Sequence, residues 1–311
     1  MTRLIIYPLI AITVLSCNSK SSGPTDTPTS GTTMISVDES FRPIIDSEIS
    51  VFESIYPQAG IFVNYCDEVE ALNLLLRDSV RAAITTRTLT PVERESFESR
   101  KLFPKEIKIA TDGIAIIVNR ANKDTLFSIQ TLRKILTGEI VRWKDLNPES
   151  PLGDIHVMFD NPQSSTVRFL VDSICKGSHL SEQVRSKLRN TDVVNYVAEN
   201  RNALGIIGTS WISNQRDSSC MVFLNKVCVA GISREATANR NNSYQPYQAY
   251  IATGQYPLQR DVYILLTEPR SGLATGFASF LTSDRGQRII LKSGIMPATQ
   301  PVRVVQMRDH L

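Results

Sequence analysis

The feature that most restricts what this chain can fold into is a repeated unit: a short apolar run, a polar turn, then apolar residues at helical spacing. Met34 to Val37 reads as a strand, Asp38 to Ser40 as a turn, and Phe41, Ile44, Ile45, Ile49, Phe52 and Tyr56 as the inner face of a helix that stops at Pro57. The unit recurs at IFVNY (61–65), followed by Val69, Leu72, Leu75 and Leu76. It recurs again at RAAITT (81–86), where Thr90-Pro91-Val92-Glu93 then forms a capping box with proline at the first helical position. A fourth copy runs from IHVMF (155–159) into NPQSSTVRFLVDSI. Strands alternating with helices predict an α/β fold with buried, mostly parallel sheets. At 311 residues and 42% hydrophobic content the chain can build one large or two medium cores, and its length favours two lobes.

In open sheets of this kind ligands bind beyond the carboxyl ends of strands, where helix starts converge. The turns after Val37, Tyr65, Thr85 and Phe159 are therefore candidates for one shared site. Ser164, Ser165 and Thr166 stand out among them, because three consecutive hydroxyls open a helix whose first N–H groups lack intrahelical partners. Such an end suits an oxyanion. Serine and threonine are also common helix caps, and on the stretch alone capping is the better reading; only its context lifts it to a site candidate.

The remaining pattern is consistent with the same architecture. EIKIATDGIAIIVN (106–119) reads as two strand-like runs meeting at Asp112-Gly113, and a helix from Ser128 ends near Thr137-Gly138. NALGIIGTSWI (202–212), CMVFLNKVCVAGI (220–232) and YPLQRDVYILL (256–266) read as strands, residues 234–248 as a loop, and 273–281 and 284–293 as helices closed by Gly294.

The first seventeen residues, MTRLIIYPLIAITVLSC, carry an early Arg, an apolar run and Leu15-Ser16-Cys17. They read as a lipoprotein signal peptide over 1–16, with lipidation at Cys17. Residues 17–33 then form a Ser-, Thr-, Gly- and Pro-rich stretch expected to be a flexible tether. Losing Arg3 lowers the formal charge from +3 to +2, and this balance gives no sign of a nucleic-acid partner. Cys66, Cys175, Cys220 and Cys228 are expected as small buried hydrophobes, although Cys220 and Cys228 flank one strand-like run and export would permit a disulfide. His156, His179 and His310 lack metal-ligand spacing, and no cofactor is expected. The absence of a G-x-S-x-G elbow, or of a His placed to activate Ser164, argues against a hydrolase.

Five segments in order resemble one family, the phosphate-binding proteins of ABC-type phosphate importers, within the type II periplasmic binding proteins. DGIAIIVN (112–119) is similar to its first crossing between lobes, and LRKILTGEIVRW (132–143) to its "L..I.tG.i..W" signature. NALGIIG is similar to its "aIGY" strand. YPLQRDVYILL and FLTSDRGQRIILKSGIMP are similar to its closing "YP..R..y" and "F..S..GQ.i....G..P" segments.

The resemblance implies two lobes, 34–113 plus 265–306 and 114–264, each a mixed, mostly parallel sheet flanked by helices and joined by two hinge crossings. It implies capture of phosphate or a similar tetrahedral oxyanion by a monomer that delivers it to an ABC permease outside the cytoplasm. The implied ligand contacts are Ser40, Phe41, Ser164, Ser165 and Thr166, with Thr86 where the family has an Asp. Asp160 stands where the family commonly has an Arg, Ser165 where it has a Gly, and CDEVEA (66–71) replaces its Gly- and Ser-rich loop. Glu39, Glu68 and Asp160 are thereby brought near an expected anion site, with Arg87 and Arg168 expected as ligand-binding residues that pair with a carboxylate or grip the ligand bidentately, the alternative being solvated surface arginines. Two alternatives share the fold: a different small solute, or a surface lipoprotein that binds a protein partner.

Overall fold

The structure, a computed structural model, describes residues 26–186, 189–213, 222 and 224–299. The expected signal peptide over 1–16, Cys17, Cys220 and residues 300–306 lie outside the described residues. Twelve strands are described: β1 (Gly31–Asp38), β2 (Ala59–Cys66), β3 (Ala82–Thr85), β4 (Lys105–Asn119), β5 (Leu126–Ser128), β6 (His156–Phe159), β7 (Val184–Ser186), β8 (Ala203–Gly208), β9 (Val227–Val229), β10 (Gly231–Ser233), β11 (Gln259–Leu266) and β12 (Met296–Pro297). The helices are α1 (Arg42–Ile55), α2 (Glu68–Leu76), α3 (Pro91–Glu98), α4 (Ile129–Thr137), α5 (Trp143–Leu146), α6 (Ser165–Phe169), α7 (Asn190–Glu199), α8 (Gln248–Ala252), α9 (Leu273–Thr282) and α10 (Asp284–Lys292).

The main sheet runs β2-β1-β3-β11-β4-β8-β6-β7, with β9 and β12 also on β4. Its outer pairs are parallel: β1 with β2 and β3, and β6 with β7 and β8. Its antiparallel pairs all involve β4, which crosses between lobes, or β11, which begins where the chain returns to the first lobe. The two runs expected on either side of Asp112-Gly113 form one continuous strand, β4. It pairs with β11 as far as Gly113 and with β8 from Ile114 onward. The return crossing falls at Leu258–Gln259, because Leu258 packs in the second lobe's core while Val262 and Ile264 pack in the first's. Residues 259–264, expected in the second lobe, thus belong to the first.

Each lobe is a sheet with helices on both faces, as the side-chain alternation of its strands requires. In the first lobe Ile35, Val37 and Ile84 pack against α1 and α9, through Ile45, Phe52 and Phe277, while Ala83 and Leu265 face α2 and α3. In the second, Ile114, Ile116 and Val118 of β4 face α4, whereas Ala115 and Ile117 point the other way, toward Val193, Val194 and Val197 of α7. Among the described residues no helix is long and apolar enough to cross a membrane.

Three further expectations need correction. Residues 26–33 are not a loose tether. The Asp26 carboxylate accepts the Leu273 N–H at 2.8 Å, and Pro28 lies so close to Gly276 that a Cβ there would meet its carbonyl at 1.8 Å. The run 220–232 is not one strand: residues 224–226 are helical, β9 joins β4, and β10 pairs with β5 in a separate two-stranded sheet. Cys175 is buried, but Cys66 and Cys228 are only half-buried, and all three are free thiols.

Candidate functional site

The four turns singled out in the sequence do converge, and most of their polar atoms are engaged with one another across the gap between lobes. At the end of β1, Asp38 caps the short 3-10 turn Glu39–Phe41, its Oδ1 accepting the Ser40 N–H at 2.8 Å. Its Oδ2 accepts the Ser165 N–H of the opposite lobe at 3.1 Å. One carboxylate therefore bridges the start of a helical segment in each lobe, meeting the unpaired N–H groups and positive end that such segments present.

Ser164 is the N-cap of α6, as its sequence position predicts, accepting from the Val167 N–H. Its own hydroxyl donates to Asp160 at 2.6 Å. Asn190, at the start of α7, donates to Asp160 at 3.2 Å and to Glu39 at 2.6 Å, tying these two acids together. Burial, with Asp38 nearby, raises the Asp160 carboxyl to about 6. Burial also raises Glu39 to about 7, against the Asn190 hydrogen bond that lowers it. Ser40, Asp160, Ser164, Ser165 and Thr166 are all buried. Asp38, Glu39, Asp160 and Ser164 line a cavity of about 270 Å³, together with Arg42, Tyr65, Asp67 and Arg189.

Behind these residues lies the group that sequence reasoning missed. Arg260 of β11, 5% exposed, reaches across the crossing strands. Its Nε and one terminal nitrogen donate to Asp112 Oδ2 at 3.2 and 3.1 Å, and its other terminal nitrogen donates to Ser165 Oγ at 2.8 Å and Thr166 Oγ1 at 3.3 Å. The guanidinium also stands 5.2 Å from the centre of the Phe41 ring. Arg260 and Asp112 are register partners on adjacent strands, so the sheet itself aligns the pair. Gly208 at the end of β8 leaves room for it, because a Cβ there would stand 3.2 Å from the guanidinium and 3.5 Å from the Ser40 Cβ. Burial lifts the Asp112 carboxyl to about 6 despite Arg260 beside it. Among the described residues the Ser40 hydroxyl oxygen, Asp112 Oδ1 and Asn190 Oδ1 are buried with no hydrogen-bond partner. A charged residue inside the apolar run YPLQRDVYILL, and an acid inside EIKIATDGIAIIVN, were the available signals for the pair.

The second expected group forms a separate cluster. Glu68, 2% exposed, accepts the Thr86 N–H at 2.7 Å, the Thr86 hydroxyl at 2.8 Å and Arg168 Nε at 2.6 Å, while Arg168 also donates to Thr86 Oγ1 at 2.6 Å. Burial would raise Glu68, but these donors from Arg168 and Thr86 hold its carboxyl below the usual range. Arg168 belongs to the second lobe and Glu68 and Thr86 to the first, so this too is an inter-lobe contact. Arg87 is not brought to the cleft. Its guanidinium pairs bidentately with Glu93 at 2.7 Å on both arms, because the capping box places that acid at the first turn of α3. Among the described residues no group of three or more His, Cys, Asp or Glu is placed to hold a metal ion.

The profile of the PBP superfamily domain matches residues 22–285. The chain belongs to the PBP superfamily. Among curated relatives it is 26% identical over 201 residues to the phosphate-binding protein PstS of Staphylococcus saprophyticus, a match covering 63% of this chain and 57% of that protein. It is 22% identical over 275 residues to PstS of Staphylococcus aureus strain USA300, covering 86% of this chain and 78% of that one. Among solved structures, a putative phosphate ABC transporter substrate-binding protein from Clostridium perfringens, with bound phosphate, superposes with a TM-score of 0.73 at 20% identity. That superposition covers 86% of this chain and all of the other. An ABC-type phosphate transport receptor from Vibrio cholerae gives a TM-score of 0.63 at 22% identity over the same share of this chain. At this identity the likeness establishes the two-lobed fold of the superfamily.

Proposed function

We propose that this is an extracytoplasmic solute-binding protein that captures phosphate or a related tetrahedral oxyanion between its lobes and delivers it to an ABC-type permease. The observation that carries the reading is the buried Arg260, which meets the Ser165 and Thr166 hydroxyls beside the unpartnered Ser40 hydroxyl. Hydroxyl, amide and guanidinium donors from both lobes can replace the water shell of an oxyanion without any bond being made or broken. The names of the PstS relatives and of the superposed phosphate-binding structures support the same reading. In this reading the protein works as a monomer, anchored to a membrane through a lipid on Cys17.

Titration calorimetry with inorganic phosphate, paired with thermal shift, tests it, since a ligand that binds only the folded state raises the melting temperature. Neither heat nor shift at millimolar phosphate, with Asp38 in place or replaced by Ala, would remove phosphate as the ligand. A second reading is favoured by the four carboxylates, Asp38, Glu39, Asp67 and Asp160, that line the 270 Å³ cavity: the same fold taking a small cationic solute. A thermal shift with small amines and none with oxyanions would select it.

A further inference from the structure

We infer that Asp38 is a tethered stand-in for the ligand: its carboxylate makes the bridge between lobes that an incoming oxyanion would make, and any oxyanion must displace it. The inference rests on the oxyanion reading of the cleft and adds to it a residue that sets how tightly the site can bind.

The geometry is that of a two-point anion contact. Asp38 is 1% exposed, and each of its oxygens accepts a backbone N–H, from Ser40 on its own lobe and from Ser165, 127 positions away, on the other. Ser165 is also the residue whose hydroxyl receives Arg260 at 2.8 Å, so the carboxylate occupies the donor next to the buried guanidinium. An oxyanion seated on this turn needs the same Ser165 N–H. A backbone N–H makes one strong hydrogen bond at a time, so the two acceptors compete. Competition comes from charge as well, because Asp38, Asp112 and Asp160 surround one buried arginine. A further anion would add to an excess of negative charge unless Asp38 withdraws.

The surrounding polar groups are already arranged for such an exchange. Among the described residues the buried Ser40 hydroxyl has no hydrogen-bond partner, and Asp38, at the end of β1, borders the cavity that Arg42 and Arg189 also line. Displacement would therefore trade one intramolecular anion for an external one at an otherwise intact set of donors.

The test uses Asp38→Ala and Asp38→Asn in the full mature protein. Alanine removes both acceptors. An asparagine amide has one acceptor oxygen where the carboxylate has two, so it must release either the Ser40 or the Ser165 N–H. Amide hydrogen exchange read at Ser165 and Ser40 reports the latch whatever the ligand is, and calorimetry with inorganic phosphate reports the competition. In Asp38→Ala the Ser165 amide should lose its protection and regain it with phosphate, and phosphate should bind about ten- to a hundred-fold more tightly than to the native protein.

A Ser165 amide that stays protected in both variants overturns the latch, as does phosphate affinity that is equal or weaker without Asp38. If the Ser165 amide is released but phosphate binds neither protein, the latch stands and the phosphate reading falls. If phosphate binds native and variant proteins alike, the latch falls and the phosphate reading stands. Thermal melts confirm that the variants are folded, and should Asp38→Ala fail to fold, Asp38→Asn decides the test through the two amides together: release of either supports the latch and protection of both overturns it.

Discussion

Two arginines reach toward the gap between the lobes, and they are held in opposite ways. Arg260 sits at the hinge, with its side chain 3% exposed, paired to an Asp112 that is its neighbour across two hydrogen-bonded strands. Arg168 sits at the mouth, with its side chain 34% exposed, paired to a Glu68 of the other lobe. The first pair is fixed by the sheet and stays intact whichever way the lobes move. The second exists only while the lobes are together. Charge at the hinge therefore ties the crossing strand to its neighbour, whereas charge at the mouth bridges the two lobes.

Removing each arginine is the most direct way to break that contrast. Arg260→Ala leaves Asp112 buried and unpaired, and should cost about 3–5 kcal/mol in denaturant unfolding while abolishing phosphate heat. A stable variant with native affinity would show that the hinge pair is incidental.

Glu48 sharpens the comparison, because it is a fully buried acid on α1 whose two carboxylate oxygens have no hydrogen-bond partner among the described residues. Burial raises its carboxyl to about 9. An acid with a raised folded-state pKa stabilises the fold below its unfolded pKa, and that contribution is lost as pH rises through the folded value. Glu39, Asp112 and Asp160 act in the same sense up to about 6 or 7. The melting temperature should consequently fall as pH rises from 5 to 9. Glu48→Gln should flatten the fall and stabilise the protein by up to about 3 kcal/mol at pH 7, at about 1.4 kcal/mol for each pH unit above the usual glutamate pKa. An unchanged profile would show that Glu48 has a cation partner in solution.

Arg168→Ala should have a smaller effect, about 1–3 kcal/mol, because its arginine is partly exposed and Glu68 keeps both donors from Thr86. The lowered Glu68 carboxyl contributes stability that is present above the usual glutamate pKa and lost as pH falls. The difference between native and variant proteins should therefore shrink on acidification. Arg87→Ala should matter least, costing about 1 kcal/mol through the start of α3 and leaving phosphate affinity unchanged. A lost affinity would return Arg87 to the site.

What could be read from the sequence was what short-range chemistry decides. The Thr90–Glu93 capping box, the Ser128 and Ser164 caps and the apolar face of α1 each depend on residues a few positions apart, and each forms as its pattern predicts. Arg87 was misplaced for the same reason: its partner Glu93 was in view, but as a cap and not as a competitor for the guanidinium. Asp38 and Arg260 escaped notice because their partners are set by approach between lobes and by strand register, which local spacing does not encode. The helix start at Ser164 was legible as a cap, while the Asp38 carboxylate that accepts the Ser165 N–H was passed over as part of a polar turn.

The position of β11 bears on how the molecule assembles. It lies between β3 and β4, yet it comes from residues 259–266, so the first lobe's sheet is split until nearly the whole chain is available. The second lobe is drawn from one uninterrupted stretch and can collapse as soon as that stretch has emerged. Folding should then proceed from the middle of the chain outward, with the N-terminal strands waiting, exposed, for a late partner. That interval, more than any weakness of the finished structure, is when a chaperone or a protease would find this protein.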